Sequence, residues 1–313
     1  MFKNTLQFKP KYFNYRLMIE LIAISVLGIL LINSATSSDG SYIKQVIGLV
    51  AGVVIMISVA MFNHEWIMKL HWLFYAASII LLVLVLVMGH SSHGAQRWIK
   101  IASGITIQPS EFAKVFMVVF WAWMYGKNPA FLNKWPLFIL SIVLTAVIQL
   151  LIVIEPDLST TILFTGMFIT IIFLSGFSYK KIAICFAVIV PIVIGLVIYI
   201  QTPDQKLLKP YQLERIQDFI SGNDDDGGKE QQENAVLAIG SGQLTGKGLN
   251  YTGSDSVKNG NYLYEADSDF IFAIAGEELG FLGSCTVIGL LALISFECIL
   301  TGIRAADMSG RIV

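Results

Sequence analysis

Residues 265–280 read EADSDFIFAIAGEELG and place five carboxylates, Glu265, Asp267, Asp269, Glu277 and Glu278, around a run fit for a lipid bilayer. A charge at membrane depth is expensive, so ionisable side chains there point first to function. Upstream, QPSEFAKV sets Glu111 and Lys114 one helical turn apart on one face. GAQRWIKI adds Arg97, and EPDLSTT adds Asp157 at the start of another apolar run. Together these groups suit a site that holds a diphosphate through Arg and Lys while a carboxylate takes the proton from a hydroxyl. Plainer roles stand beside that one. Pro109 and Ser110 suit a helix start, where Glu111 complements the helix dipole. Glu277 and Glu278 read as hydrogen-bonded structural acids, and Glu297 as an acid reaching toward water. The stretch GSGQLTGKG invites a phosphate-loop reading, but Ser241 stands where the first Gly belongs and Gly248 where Ser or Thr would bind magnesium. A glycine-rich turn that allows close backbone approach is the milder reading. His64, His71, His90 and His93 have no ligand spacing, so no metal site is expected.

The elements that position these groups follow from hydropathy. The chain has 313 residues, 55% of them hydrophobic and 14% charged, with a mean hydropathy of +0.70; that is too apolar for a soluble domain. A net charge of -1 gives no sign of nucleic acid. Eight runs reach the length a membrane helix needs: 17–35, 43–62, 71–89, 110–126, 136–154, 158–176, 182–200 and 270–303. The expected fold is an all-α polytopic membrane helix bundle with about eight transmembrane helices. Cys185, Cys285 and Cys298 lie in apolar runs and read as buried small hydrophobes; the tryptophans read mostly as interfacial anchors.

Lys and Arg concentrate in alternate short loops, which puts the N-terminus in the cytoplasm and the long 201–268 segment outside. The chain then divides into a seven-span bundle (1–200), a large extracytoplasmic loop (201–268) and an eighth span with a cytoplasmic end (269–313). In the loop, NDDDGGKE reads as a mobile tip, whereas AIGSGQLTGKG should pack. A straight helix ending at Arg304 would carry Asp269 well beyond the hydrocarbon edge. The segment is therefore expected to break near Gly276, Gly280 or Gly283, or to lie partly in the outer interface.

Four blocks, GAQRWIKIASGITIQPSEFAKV, EPDLSTT, AIGSGQLTGKG and ADSDFIFAIAGEELGFLG, resemble the SEDS family (shape, elongation, division and sporulation; RodA, FtsW and SpoVE). The compact basic N-terminus looks most RodA-like. The resemblance implies a ten-span bundle, of which this chain, ending at RAADMSGRIV, would lack the last two spans. It also implies glycosyl transfer from lipid II, the undecaprenyl-diphosphate-linked disaccharide-pentapeptide, to growing glycan strands in the bacterial cytoplasmic membrane. Carried over by motif, Asp269 is the acid on which polymerisation depends and the general base. Arg97, Glu111, Lys114 and Asp157 are polar cavity positions, and Ser241 is the serine of the glycine turn. No cofactor is implied, a divalent cation aside; the implied partners are lipid II, membrane lipid and a class B penicillin-binding protein transpeptidase. A flippase for the lipid-linked precursor and a non-catalytic scaffold for a transpeptidase remain the alternatives.

Overall fold

A computed structural model describes residues 13–313 apart from 37–39, 93–94, 103–104, 127–133, 156, 201–227, 259, 261 and 265. Glu265 and the acidic run 223–227 thus lie outside the described residues. Helices occupy all eight expected positions: α1 (Tyr15–Ala35), α2 (Ser41–Met61), α4 (His71–Met88), α5 (Pro109–Gly126), α6 (Trp135–Ile154), α7 (Leu158–Leu174), α8 (Tyr179–Ile200) and α10 (Ile271–Arg304). Five of them, α1, α2, α4, α6 and α10, are by length and composition alone long and apolar enough to cross a membrane. Shorter helices are α3 (His64–Lys69), α9 (Gly228–Ser241) and α11 (Met308–Ile312).

One feature was not expected: the segment between α4 and α5 forms a three-stranded antiparallel sheet, β1 (His90–Ser92), β2 (Ala95–Ala102) and β3 (Ile105–Ile107), in the order β1-β2-β3. Its register pairs His90 with Trp98 and Ile99 with Ile107. Arg97 therefore stands on a strand, not on a loop, at a register shift between the pairs His90–Trp98 and Ser91–Gln96.

The chain packs as two compact units. The first comprises Phe62–Gln212 with Thr301–Val313. Its core is aromatic: Phe120, Trp121, Tyr125, Phe138, Phe164 and Phe177 are all buried. Trp121 corrects the expectation of an interfacial anchor, since it lies inside this core and donates from Nε1 to the Thr145 hydroxyl at 2.9 Å. A buried indole needs that partner, and Thr145 supplies it from the middle of α6.

The second unit comprises Gln7–Met61 with Leu213–Leu300. Leu31 of α1, Ala238 of α9, Leu263 and Ala273–Ala275 of α10 form its core. In α2 no residue is buried; Ile47, Val50 and Ile55 are about three-fifths exposed, the pattern of a helix facing lipid. Cys285 and Cys298 also lie on the exposed surface of α10 and not in the core, a correction that reflects how little of a peripheral membrane helix is covered by protein. Glu297 is buried, not extended toward water: it accepts from Asn14 Nδ2 at 3.2 Å, with Arg16 Nη1 at 3.8 Å.

Candidate functional site

In the first unit the polar groups gather around the turn from α6 to α7. Asp157 is the N-cap of α7: Oδ1 accepts from the Thr160 amide at 3.0 Å, and Oδ2 from the Thr160 hydroxyl at 2.8 Å. This satisfies donors that the first turn of a helix leaves open. Oδ2 also accepts from Gln108 Nε2 at 3.0 Å, and Arg97 Nη1 of β2 comes within 3.9 Å of Oδ1. One buried carboxylate thus draws together the end of the sheet, the start of α5 and the start of α7. On α5, Lys114 Nζ donates to Glu111 at 2.8 Å; the lysine is mostly covered and the glutamate mostly exposed.

Glu155, in the same turn as Asp157 and outside both spans, is fully buried, and neither carboxylate oxygen has a hydrogen-bond partner among the described residues. Burial and then the neighbouring Asp157 charge push its pKa up to about 8, with Arg97 pulling the other way. Reading the EPDLS block by residue type had singled out Asp157 alone.

The second unit holds a different construction. At Gly280 the backbone of α10 leaves helical geometry (φ 66°, ψ -162°), so the break falls at one of the three expected glycines. A helix interrupted this way exposes carbonyls on one side and amides on the other. The glycine turn after α9 fills both. The Lys247 and Gly248 amides donate to the Glu277 and Glu278 carbonyls at 3.0 and 2.9 Å, while Phe281 and Leu282 amides donate to the Gln243 and Leu244 carbonyls at 2.8 and 3.1 Å. Such an approach leaves no room for side chains. A Cβ on Gly246 would lie 2.1 Å from the Glu278 carbonyl oxygen, and one on Gly242 would lie 1.9 Å from that of Gly276. The glycine-rich turn is therefore a splice for a broken helix.

Two ion pairs, one buried and one part-buried, hold the splice. Glu277 accepts from Lys247 Nζ at 2.9 Å and from the Val257 amide at 3.0 Å. Glu278 accepts from Lys258 Nζ at 2.5 Å and from the Ser34 hydroxyl of α1, which itself accepts from Lys258 Nζ and the Asn250 amide. Burial works against the charge of Lys247, but the hydrogen bond and charge of Glu277, with Asp255, outweigh it and raise its pKa. Both glutamates are thus the structural acids the sequence suggested. Their partners Lys258 and Ser34 carried no signal, the one in a polar loop and the other in an apolar helix.

Of the six expected site residues, Arg97 meets Asp157 and Lys114 meets Glu111 in the first unit. Ser241 and Asp269 belong to the second. The Ser241 hydroxyl donates to the Ala238 carbonyl at 2.8 Å, and Asp269 is exposed in the turn just before α10. Among the described residues no group of three or more His, Cys, Asp or Glu side chains is placed to hold a metal ion.

The model of the FtsW/RodA/SpoVE family, described as cell cycle protein, matches residues 13–313. The chain belongs to this family. Among curated relatives, the probable peptidoglycan glycosyltransferase FtsW of Buchnera aphidicola subsp. Baizongia pistaciae is 36% identical over 227 residues, 72% of this chain and 56% of the relative. The protein of that name from Acinetobacter baylyi is 36% identical over 234 residues, 74% of this chain and 55% of its own. The chain thus spans about half the length of these relatives. Two solved structures share the fold: a chain of a peptidoglycan synthase complex (TM-score 0.71, 22% identity, 96% of this chain and 81% of that one) and the rod shape determining protein RodA of Thermus thermophilus (TM-score 0.64, 22% identity, 96% and 79%). Sequence relatives named FtsW and a structural neighbour named RodA do not sort this member of the FtsW/RodA/SpoVE family between the two branches.

Proposed function

We propose that the chain is part of a peptidoglycan glycosyltransferase that polymerises lipid II into glycan strands during cell-wall synthesis, with Asp269 as general base. The observation that carries this reading is the relationship to proteins named peptidoglycan glycosyltransferase, 36% identical over 72% of this chain. In the proposed step Asp269 takes the proton of the acceptor 4-hydroxyl, and that oxygen forms a bond to the donor sugar's anomeric carbon. The bond from that carbon to the diphosphate breaks with inversion, and the diphosphate leaves with the electron pair. Such a leaving group needs counter-charge and no proton, so one carboxylate suffices where most glycosidases use two. Arg97 and Lys114 are assigned that counter-charge, held in place by Asp157 and Glu111. Ser241 is assigned to the substrate-facing turn. A divalent cation would add to the same counter-charge, which a chelator titration tests.

The reading places residues 1–200 as a seven-span bundle in the bacterial cytoplasmic membrane with the N-terminus inside, 201–268 as an outer loop, and 269–313 as the returning span. A class B penicillin-binding protein is the proposed partner; a neighbour of the same fold comes from a complex described as coordinating polymerization and crosslinking. The deciding experiment is gel-based polymerisation of lipid II by the folded protein with its partner transpeptidase, wild type against Asp269→Asn. Loss of product in the variant supports the assignment. An unchanged rate refutes it, and movement of labelled lipid II across vesicles without product would mark a flippase.

A further inference from the structure

Among the described residues of the first unit's polar cluster, Glu155 is the ionisable group that the proposed chemistry leaves unused. It is fully buried, both its carboxylate oxygens lack a hydrogen-bond partner among the described residues, and it is two residues from Asp157. An ionised carboxylate in that setting would be desolvated with nothing to hydrogen-bond it. The charged groups acting on it are Asp157 from its own turn, which opposes its ionisation, and Arg97 from β2, which favours it. Asp157, though buried as well, accepts three hydrogen bonds and has Arg97 within 3.9 Å, so it is the better hydrogen-bonded acid of the two. Interacting acids of such unequal environment share their charge unequally.

We infer that Glu155 is a positioning residue that stands as a neutral carboxylic acid beside the Arg97–Asp157 pair, and that its proton is what lets this turn accept an anionic diphosphate. With the proton in place, Arg97, Asp157 and Glu155 sum to zero charge; without it they sum to minus one, and an arriving diphosphate is repelled. Diphosphate binding and Glu155 protonation are therefore linked: the ligand tightens the proton, and the proton tightens the ligand. The binding half of this inference rests on the diphosphate reading of Arg97; the protonation half does not.

Two measurements on the full chain in lipid nanodiscs test the halves separately. The first is the infrared difference between wild type and Glu155→Gln across a pH titration. It should show the C=O stretch of one protonated carboxylic acid at neutral pH, disappearing with a midpoint near 8. If that band is missing at neutral pH, Glu155 is ionised and the inference is wrong whatever the protein's activity. The second is binding of a short-chain prenyl diphospho-sugar, a diphosphate diester whose own charges do not titrate in the range. Wild-type affinity should fall about tenfold between pH 7 and pH 9, the limit for one linked proton with a midpoint near 8. Glu155→Gln, neutral throughout, should flatten the profile, and Glu155→Asp should restore a pH-dependent one. A Gln variant that keeps the wild-type alkaline fall overturns the linkage. If the band is present but the wild type binds no diphospho-sugar at any pH, the linkage falls together with the diphosphate reading of Arg97, and the protonation half stands.

Discussion

Gly246→Ala should break the splice at α10. Gly246 has φ +79°, a conformation that costs an L-residue about 1–2 kcal/mol. The new Cβ would also sit 2.1 Å from the Glu278 carbonyl oxygen, so the turn must move off α10. Moving it breaks the Lys247 and Gly248 amide bonds to the Glu277 and Glu278 carbonyls, at about 0.5–1.5 kcal/mol each. The expected loss is about 2–5 kcal/mol. The control is Gly240→Ala: that glycine is helical in α9 with nothing within 4 Å of the added carbon, so alanine should stabilise by about 0.5–1 kcal/mol. Thermal unfolding in nanodiscs orders the three proteins, and amide hydrogen exchange locates the damage at 243–248 and 277–282. If Gly246→Ala melts with the wild type and those amides stay protected, the steric reasoning is refuted.

Other substitutions probe the same units. Lys258→Met leaves Glu278 buried without its cation and should destabilise by about 3–5 kcal/mol, whereas the double change Lys258→Met with Glu278→Met should recover much of that, measured by thermal unfolding. Thr145→Val strands the buried Trp121 Nε1 and should cost about 1–3 kcal/mol, with a shift in tryptophan fluorescence. The pH dependence of stability has a definite sign. Glu155 binds its proton more tightly folded (about 8) than unfolded (4.5), so its contribution is largest below pH 4.5 and is lost as pH rises to about 8. Comparing melting temperatures of the wild type and Glu155→Gln across that window isolates it.

The spans were legible because a bilayer imposes length and apolarity on every crossing helix, and α1, α2, α4, α5, α6, α7, α8 and α10 fall within a few residues of the expected runs, whereas the short α3 and α9 answer to none of them. The sheet at 90–107 was not, because AQRWIKIA alternates too briefly beside two long helices to stand out as a strand. Asp157 was legible as a helix-starting acid; nothing in the sequence marked Glu155, one proline away, and what separates these two buried acids is hydrogen bonding, which Asp157 has and the Glu155 carboxylate lacks among the described residues. Any of Gly276, Gly280 and Gly283 could have carried the break. What selects Gly280 is contact with a remote segment: a Cβ there would lie 2.2 Å from the Gly246 amide nitrogen. No local pattern encodes that, just as none encodes Lys258 reaching Glu278.

A continuous helix transmits a push along its axis, but α10 is continuous only from Gly280 to Arg304, and those residues suffice to cross the hydrocarbon by themselves, about 36 Å at 1.5 Å per residue. The short arm before Gly280, with Asp269 just ahead of it, takes its direction instead from residues 243–258 through two backbone bonds and two ion pairs, while two further backbone bonds tie the same loop to the long arm. Gly280 is in effect a fulcrum. Any rearrangement of the loop therefore bears on both arms at once, and reaches that aspartate through the short one.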